Sequence, residues 1–468
     1  MAGEEFAGRT VLILGLGRFG GGGGALRFLA SRGARVRITD LRSREQLAPT
    51  LEALSGLEFE SRLGGHPPSV LDGVDLVVVN PAVPPSAPIR REIRRRGIPE
   101  TSELGLFLER CPAPVTAVSG TNGKSTTTAL TAAALEAAGF RVHLGGNLGG
   151  SLLPAVHRIS PEDRVVLEVS SFQADLLPEG PWFRVLAFTY VGVDHLDRYG
   201  TPRAYQESKK RMLRLLAPGG ILLVSREDPV SRSWDPPEGI RKATYGQDPP
   251  RAGHLGLRDG MLVSALTGGE EPLLGAEEIP LPGSFQVKNV LAAAGAALLS
   301  GGSPAALARA VRSFPGLDHR LQPLGRIGPV LVVDNGVSTA PETTLSALEA
   351  LEESPRFSGP IHLVCGGKSK GAPLEDFASA LAAKAATVHL FGKAGPDLAV
   401  RLEGRMPPGG TTLSQAMEDA LDQALASARE GGILLFSPAF SSFDAYLNFQ
   451  DRARAFRRWA ASRGLTRP

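Results

Sequence analysis

The sequence predicts an α/β protein of three domains: an N-terminal Rossmann-like domain, a central P-loop ATPase-type domain whose mostly parallel sheet carries a β flap, and a C-terminal Rossmann-like domain. Three observations predict it. A glycine-rich strand-turn-helix opens the chain, an apolar strand runs into the phosphate loop GTNGKST (Gly120 to Thr126), and strand-length apolar runs then alternate with helix-like segments to the C-terminus. A chain of 468 residues exceeds a single core and fits domains of about 100 to 200 residues each. The expected divisions are 1–112, 113–312 and 313–468.

Thr10 to Asp40 reads as a βαβ unit: strand VLILGLG, a glycine-heavy turn, helix ALRFLASRG, and strand ARVRITD. Gly15, Gly17 and Gly20 satisfy a dinucleotide fingerprint, with Asp40 about where a ribose-binding acid belongs. The run Gly20 to Gly24 is longer than the fingerprint needs and weakens the helix start, so something bulky is expected close to that backbone. A second unit follows as strand VDLVVVN, the proline-rich loop Pro81 to Pro88, and the basic helix Ile89 to Arg96, read as a solvated face. Two prolines within Cys111 to Pro114 mark the next boundary.

Val115 to Thr128 reads VTAVSGTNGKSTTT: strand, phosphate loop, and the start of an Ala-rich helix Thr126 to Ala138. Gly120 and Gly123 let backbone N–H groups turn inward, Lys124 reaches terminal phosphates, and the Ser125 hydroxyl suits Mg²⁺. A nucleoside triphosphate is the expected ligand. The general pattern has glycine where this chain has Val118, so the loop is a shortened version; the competing reading is a glycine turn capped by Ser and Thr. Downstream come LGGNLGG, strand Arg164 to Gln173, strand VLAFTYVG, then VDHLDRYG and a helix Pro202 to Leu216. Glu168 on its apolar strand and His195 between Asp194 and Asp197 suit a divalent metal held with ATP, since Mg²⁺ takes carboxylate, hydroxyl and phosphate oxygens. For Glu168 the competing reading is a structural ion pair. Arg226 to Pro282 is rich in Pro and Gly, with an Asp259-Gly260 hairpin signal, and reads as a peripheral β flap before a buried helix Gln286 to Ser300.

The third domain is expected from near Ser313, with strand PVLVVD ending at Asp334, helix Pro341 to Glu352, and strands IHLVCGG, TVHLFGK and GILLFSP in another small parallel sheet.

Lys plus Arg total 51 against 48 Asp plus Glu, a net charge of +3 that is too small for a nucleic-acid footprint. Only nine basic residues are lysine, so a lysine in this arginine-rich chain marks a place where amine chemistry is wanted. Cys111 and Cys365 fit no metal spacing and read as buried filler in a reducing compartment. The N-terminus lacks signal-peptide blocks, and no apolar run approaches the ~18 residues of a membrane span. A cytoplasmic protein with no membrane partner is expected.

These pieces resemble the Mur ligases of peptidoglycan synthesis over nearly the whole length: GTNGKST, GGNLG (Gly145 to Gly149), LEVSSFQ (Leu167 to Gln173), DHLDRY (Asp194 to Tyr199), GLDHR (Gly316 to Arg320), GGKSK (Gly366 to Lys370) and SPAFSSFDAYLNF (Ser437 to Phe449). SSFQ favours the D-glutamate-adding branch, and the DNPR string of the diaminopimelate-adding branch is absent. The resemblance implies an ATP-dependent ligase in which ATP phosphorylates the carboxylate of UDP-N-acetylmuramoyl-L-alanine and the amine of D-glutamate attacks the acyl phosphate. It implies two Mg²⁺ ions, with Mn²⁺ as a substitute, no nucleic-acid partner, and a monomer. By position, Lys124, Glu168, His195 and Lys209 are its catalytic residues; Ser125, Glu168, His195 and Lys209, the last as a carbamate, are its metal ligands. ATP falls to Gly120, Thr121, Asn122, Gly123, Lys124, Ser125, Thr126, Asn289, Arg320 and Asp334. The UDP substrate falls to Gly17, Arg18, Phe19, Asp40, Arg42 and Asn147, and D-glutamate to Lys370, Ser442 and Phe449. Lys210 adjoins Lys209; spacing from Tyr205 selects Lys209, while a solvated helix face is the competing reading for both.

The chain departs from the family at Phe19, where a small hydroxyl residue is usual, at Asn80-Pro81-Ala82 for Ser-Pro-Gly, at Phe285-Gln286 for His-Asn, and at Asn335-Gly336 for Ser-Lys. Three alternatives remain at this stage: a folylpolyglutamate-type or other amino-acid ligase of the superfamily, an NAD-dependent oxidoreductase built on Gly15, Gly17, Gly20 and Asp40, and a non-catalytic nucleotide-binding regulator.

Overall fold

The computed structural model describes residues 5–17, 20–354, 357–369, 373–446 and 448–466. Met1–Glu278 with Lys288–Arg312 form one compact unit, and Ile279–Val287 with Ser313–Pro468 form another.

The first unit holds two sheets. In the first, β1 (Thr10–Leu14), β2 (Arg35–Asp40), β3 (Glu60–Leu63), β4 (Leu76–Val79) and β5 (Glu100–Thr101) lie in the order β3-β2-β1-β4-β5, all parallel. The helix Gly21–Ser31 covers β1, and its glycines have a packing reason. A Cβ at Gly22 would lie 2.2 Å from the Leu16 carbonyl oxygen, and one at Gly24 would lie 2.2 Å from Ser151 Oγ. The bulky neighbour expected there is therefore the protein itself. The basic helix Pro88–Arg95 is less solvated than expected: Arg90 is buried, and its Nη2 donates to Glu100 at 2.7 Å.

The second sheet contains β6 (Val115–Ser119), β7 (Val142–Gly146), β8 (Arg164–Glu168), β9 (Phe183–Phe188), β10 (Leu216–Ser225), β11 (Arg241–Tyr245), β12 (His254–Arg258), β13 (Met261–Ser264) and β14 (Glu271–Gly275). Its order is β14-β13-β12-β11-β10-β9-β6-β8-β7, parallel from β7 to β12 and antiparallel at the flap. Strands buried on both faces must be apolar throughout, and β6 is buried at every residue. β12 and β13 join through Asp259 (φ 50) and Gly260 (φ 77), the two left-handed residues of a type I′ hairpin, so the Asp-Gly signal was sound. Three expectations need correction. The strand read over Arg164 to Gln173 ends at Glu168, because Ser170 caps a short helix Ser171–Ala174. The helix from Pro202 is α-helical only to Lys210 and tightens to 3₁₀ over Arg211–Leu215, because Leu216 already begins β10. The strand VLAFTYVG ends at Phe188, and Thr189, Tyr190 and Gly192 bond instead to the phosphate loop while Val191 N donates to Asp228.

The second unit carries β15 (Gln322–Ile327), β16 (Val330–Asp334), β17 (Ile361–Gly366), β18 (Thr387–Phe391), β19 (Thr411–Leu413) and β20 (Gly432–Ala439) in the order β15-β16-β20-β17-β18-β19. All pairs are parallel except β15 with β16, so the expected all-parallel sheet has one antiparallel edge. Ile279–Val287 packs with this unit, and Ser284 Oγ donates to Glu353 at 2.7 Å.

A polar ladder crosses this sheet beneath its apolar face. His362 Nδ1 and His389 Nε2 both meet Thr387 Oγ1, at 2.9 and 2.8 Å, and His389 Nδ1 meets Thr412 Oγ1 at 2.9 Å. Burial depresses His389 from 6.5 to about 4, with His362 pushing the same way. The buried ring is neutral while an unfolded one takes a proton, so stability is complete above about pH 6.5 and is lost as pH falls toward 4. The expected loss is about 3 kcal/mol. Thermal midpoints measured across this window should fall less in His389→Gln than in the parent protein.

Candidate active site

The site grows from the position of β6. It lies between β8 and β9, so the crossovers leave in opposite directions and open a crevice at the carboxyl ends of the strands. The register sets Val118 beside Glu168. After Ser119 the chain turns through Gly120 (φ 142) and Gly123 (φ 83), and the helix Lys124–Ala137 starts at once. At Gly120 a Cβ would lie 1.9 Å from Thr189 Oγ1, and at Gly123 one would lie 2.3 Å from Asn289 Oδ1. Only glycine fits either position.

Loop and neighbours lock together. Thr121 N donates to Tyr190 O at 2.5 Å, Thr189 Oγ1 to Asn122 O at 2.6 Å, and Gly192 N to Thr121 Oγ1 at 3.0 Å. Lys124 Nζ donates to Thr121 O at 2.8 Å, which holds the ammonium over its own loop. Ser125 is buried in the first turn of the helix, where unpaired N–H groups and the helix dipole favour an anion.

Glu168 is 1 % exposed. Its Oε1 accepts from Asn147 Nδ2 at 2.7 Å, and Asn147 N donates to Glu168 O at 2.9 Å. Oε2 is buried with no hydrogen-bond partner among the described residues. A buried carboxylate oxygen without a donor is costly unless a cation comes to it, so the donor set fits a divalent ion. No group of three or more His, Cys, Asp or Glu side chains forms a cage among the described residues. The remaining ligands would come from Ser125, substrate oxygens and other side chains.

Lys209 and Lys210 differ sharply in placement. Lys209 is 1 % exposed and its Nζ donates to Gly120 O at 2.8 Å, whereas Lys210 is exposed. Burial, then the ammonium of Lys124, pull Lys209 down to about 7 against the attraction of Asp194, Asp175 and Glu168. A neutral amine is thus available near neutral pH. His195 sits in the left-handed region at φ 50, its ring centroid 4.6 Å from that of Phe172 and 6.1 Å from that of Tyr205. Tyr205 OH meets Thr121 Oγ1 at 3.1 Å and its ring faces Lys209 Nζ at 4.9 Å. Lys124, Ser125, Glu168, Asn147, Lys209, His195 and Asn289 are therefore gathered around one loop.

On the first sheet Gly17 N donates to Asp40 Oδ2 at 3.2 Å and Arg42 N to Oδ1 at 2.9 Å, so the buried Asp40 braces the glycine turn. In the second unit Arg320 and Phe449 line a cavity of about 440 Å³ with His319, Val337, Arg454 and Arg457. Asp334 is fully buried: Oδ2 accepts from His319 Nδ1 at 2.7 Å and Arg457 Nε at 2.8 Å, Oδ1 from Gly336 N at 2.9 Å. Ser442 is buried beyond β20. Arg18, Phe19 and Lys370 lie outside the described residues, as does the side chain of Asp197.

Sequence reasoning missed several residues that hold this arrangement. His319 and Arg457 anchor Asp334. Arg452 is wholly buried, and its guanidinium donates to the carbonyls of Gly366, Phe440 and Ser338, tying together the loops after β17, β20 and β16. His319 was visible within the GLDHR string; the two arginines carried no motif signal beyond lying on the last helix.

Comparison with known proteins matches these features to three family descriptions: "Mur ligase MurD-like, N-terminal domain" over 9–102, "Mur ligase middle domain" over 118–297, and "Mur ligase, glutamate ligase domain" over 319–440. A relative from Pelotomaculum thermopropionicum, named UDP-N-acetylmuramoylalanine–D-glutamate ligase, is 34% identical over 97% of this chain and 98% of its own. One of the same name from Symbiobacterium thermophilum is 35% identical over 92% and 94%. The fold is shared with the UDP-N-acetylmuramate-alanine ligase MurC of Thermotoga maritima (TM-score 0.60, 20% identity, 97% of this chain and 99% of that one). It is shared also with MurF of Acinetobacter baumannii (TM-score 0.56, 15% identity, 93% and 88%). With three successive family domains and near-full-length relatives, the chain belongs to the Mur ligase family.

Proposed function

We propose that this protein joins D-glutamate to the carboxylate of UDP-N-acetylmuramoyl-L-alanine, with ATP as the energy source, in cytoplasmic synthesis of peptidoglycan precursors. The observation that carries the reading is a phosphate loop beside a buried carboxylate with an unpaired oxygen, in a chain that aligns end to end with relatives named for that reaction. Domains 1–112, 113–312 and 313–468 would take the UDP substrate, ATP and D-glutamate respectively, and the protein would act as a monomer without nucleic acid.

Two Mg²⁺ ions, or Mn²⁺ in their place, would supply the charge neutralisation that lets one anion attack another. Ser125 and Glu168 would hold the first; Glu168, His195 and Lys209 as a carbamate would hold the second. Lys124 swings from the Thr121 carbonyl to the transferred phosphoryl group, whose charge it offsets. Asn147 fixes Glu168 through Oε1 and leaves Oε2 for a cation. A substrate carboxylate oxygen attacks the γ-phosphorus and ADP leaves. The D-glutamate amine then attacks the carbonyl carbon, phosphate departs with the bridging oxygen, and the amine proton passes to solvent. Arg320, Asn289 and Asp334 are assigned to ATP, and Ser442, Phe449 and Lys370 to D-glutamate. Gly17, Arg18, Phe19, Asp40, Arg42 and Asn147 are assigned to the UDP substrate, Asp40 also bracing the glycine turn.

An oxidoreductase built on Asp40 would leave the phosphate loop and the buried Glu168 without a task. The discriminating assay supplies ATP and UDP-N-acetylmuramoyl-L-alanine with D-glutamate, L-lysine, L-alanine or diaminopimelate in turn. Phosphate release is expected with D-glutamate alone. Release with another amino acid and none with D-glutamate would overturn the assignment in favour of a different ligase of the superfamily.

A further inference from the structure

His195 poses a physical problem. Its backbone is left-handed, a conformation that a residue with a side chain keeps only when its surroundings over-determine it, and its side chain is 44% exposed. Among the described residues no hydrogen bond from the phosphate loop holds its ring; Asp194 Oδ2 lies 3.5 Å from Nε2, and Asp194 Oδ1 accepts from the His195 backbone N–H at 2.8 Å. What surrounds it is aromatic: Phe172 and His195 lie 4.6 Å apart between centroids, His195 and Tyr205 6.1 Å, Tyr205 and Tyr199 5.6 Å, and Tyr199 and Phe172 6.0 Å. The four rings close on themselves.

Each outer member is fixed to a different part of the unit. Tyr199 OH donates to Asp175 Oδ2 at 2.8 Å, and Tyr205 OH pairs with Thr121 of the phosphate loop. Phe172 carries the Arg198 guanidinium, whose carbon lies 3.9 Å from the ring centroid, and Arg198 Nη1 donates to Pro81 O at 2.7 Å. Pro81 belongs to the loop after β4 of the first sheet. A cation over an aromatic face is attracted by the ring's quadrupole, and the planar guanidinium stacks there as an ammonium does not. The chain of contacts thus runs from the first sheet through Arg198 and Phe172 to the imidazole.

We propose that Phe172 and Arg198 are positioning residues for His195: together they hold the imidazole in its strained placement beside the phosphate loop and tie that placement to the Pro81 loop on the UDP side. This rests on the reading of His195 as a ligand of the second ion. It also gives Phe172, in the SSFQ string, a physical task that its sequence position did not reveal.

The test uses the full chain, adenylyl-imidodiphosphate and Mn²⁺, with bound ions counted by electron paramagnetic resonance rather than by turnover. Phe172→Leu is expected to leave the tighter ion unchanged and weaken the other about 10-fold. Phe172→Trp, which restores an aromatic face, is expected to recover most of that loss, and Arg198→Leu to weaken the same ion while raising KM for the UDP substrate. If Phe172→Leu binds both ions like the parent while His195→Ala loses one, the positioning role falls and the ligand reading stands. If His195→Ala keeps both ions, the ligand reading falls and the inference with it. A lowered thermal midpoint with unchanged ion binding would reduce Phe172 to ordinary packing, and would also overturn the proposal.

Discussion

Replacing Lys124 with alanine is expected to lower kcat by at least about 100-fold, the range seen when one charge-stabilising donor is removed from a transition state. The fold should not suffer. Lys124 gives its ammonium to the Thr121 carbonyl, a short-range bond within the loop, while the loop's shape is set by Gly120, Gly123 and the bonds of Thr121, Thr189 and Gly192. Exchange of that carbonyl for a phosphate, at the start of a helix, leaves the bonds that shape the loop in place. Phosphate-release kinetics beside thermal midpoints would check this, with an unchanged midpoint and lost turnover expected. Turnover retained in Lys124→Ala would move the chemistry away from the loop.

Lys209→Arg is expected to be nearly as damaging, for a different reason. An arginine keeps the positive charge but has no amine to react with CO₂. Carbamate formation joins the neutral Lys209 amine to the carbon of CO₂ and releases one proton, so it requires the unprotonated form. An ordinary lysine at 10.5 is almost wholly ammonium at neutral pH; burial and Lys124 bring this one to about 7. At fixed dissolved CO₂, carbamate occupancy should therefore climb as pH rises through about 7, where an unperturbed lysine would give almost none. Carbon-13 spectra of protein equilibrated with labelled bicarbonate would follow it, and activity should fall when CO₂ is stripped. A pH-independent spectrum without a carbamate signal would count against the role.

Contiguous features were legible and assembled ones were not. The phosphate loop could be read because strand, glycines, Lys-Ser and helix occupy one stretch, and the Asp259-Gly260 hairpin because two residues set it. Helix and strand ends were read less well where tertiary demand overrode local pattern, as at Arg211–Leu215, drawn tight by the start of β10. The role of Ile279–Val287 was hidden because its partners, such as Glu353, lie far along the chain. Among site residues, Glu168 was visible as a charge in an apolar strand. That Asn147 would orient it follows only from the β7–β8 pairing, which sets Gly146 beside Glu168. Lys209 and Lys210 are indistinguishable by composition, and burial alone separates them. The closure of Asp334 by His319 and Arg457 joins residues 15 and 123 positions away, beyond any local pattern.

The central claim is that the loop after β6 and the unpaired oxygen of Glu168 form one nucleotide and metal site. Crystals grown with adenylyl-imidodiphosphate and Mn²⁺ test it by anomalous scattering. The expected map places an ion within about 2.2 Å of Glu168 Oε2, with the nucleotide phosphates along the amides of Gly123 to Ser125. Nucleotide bound elsewhere, or an anomalous peak remote from Glu168, would contradict it.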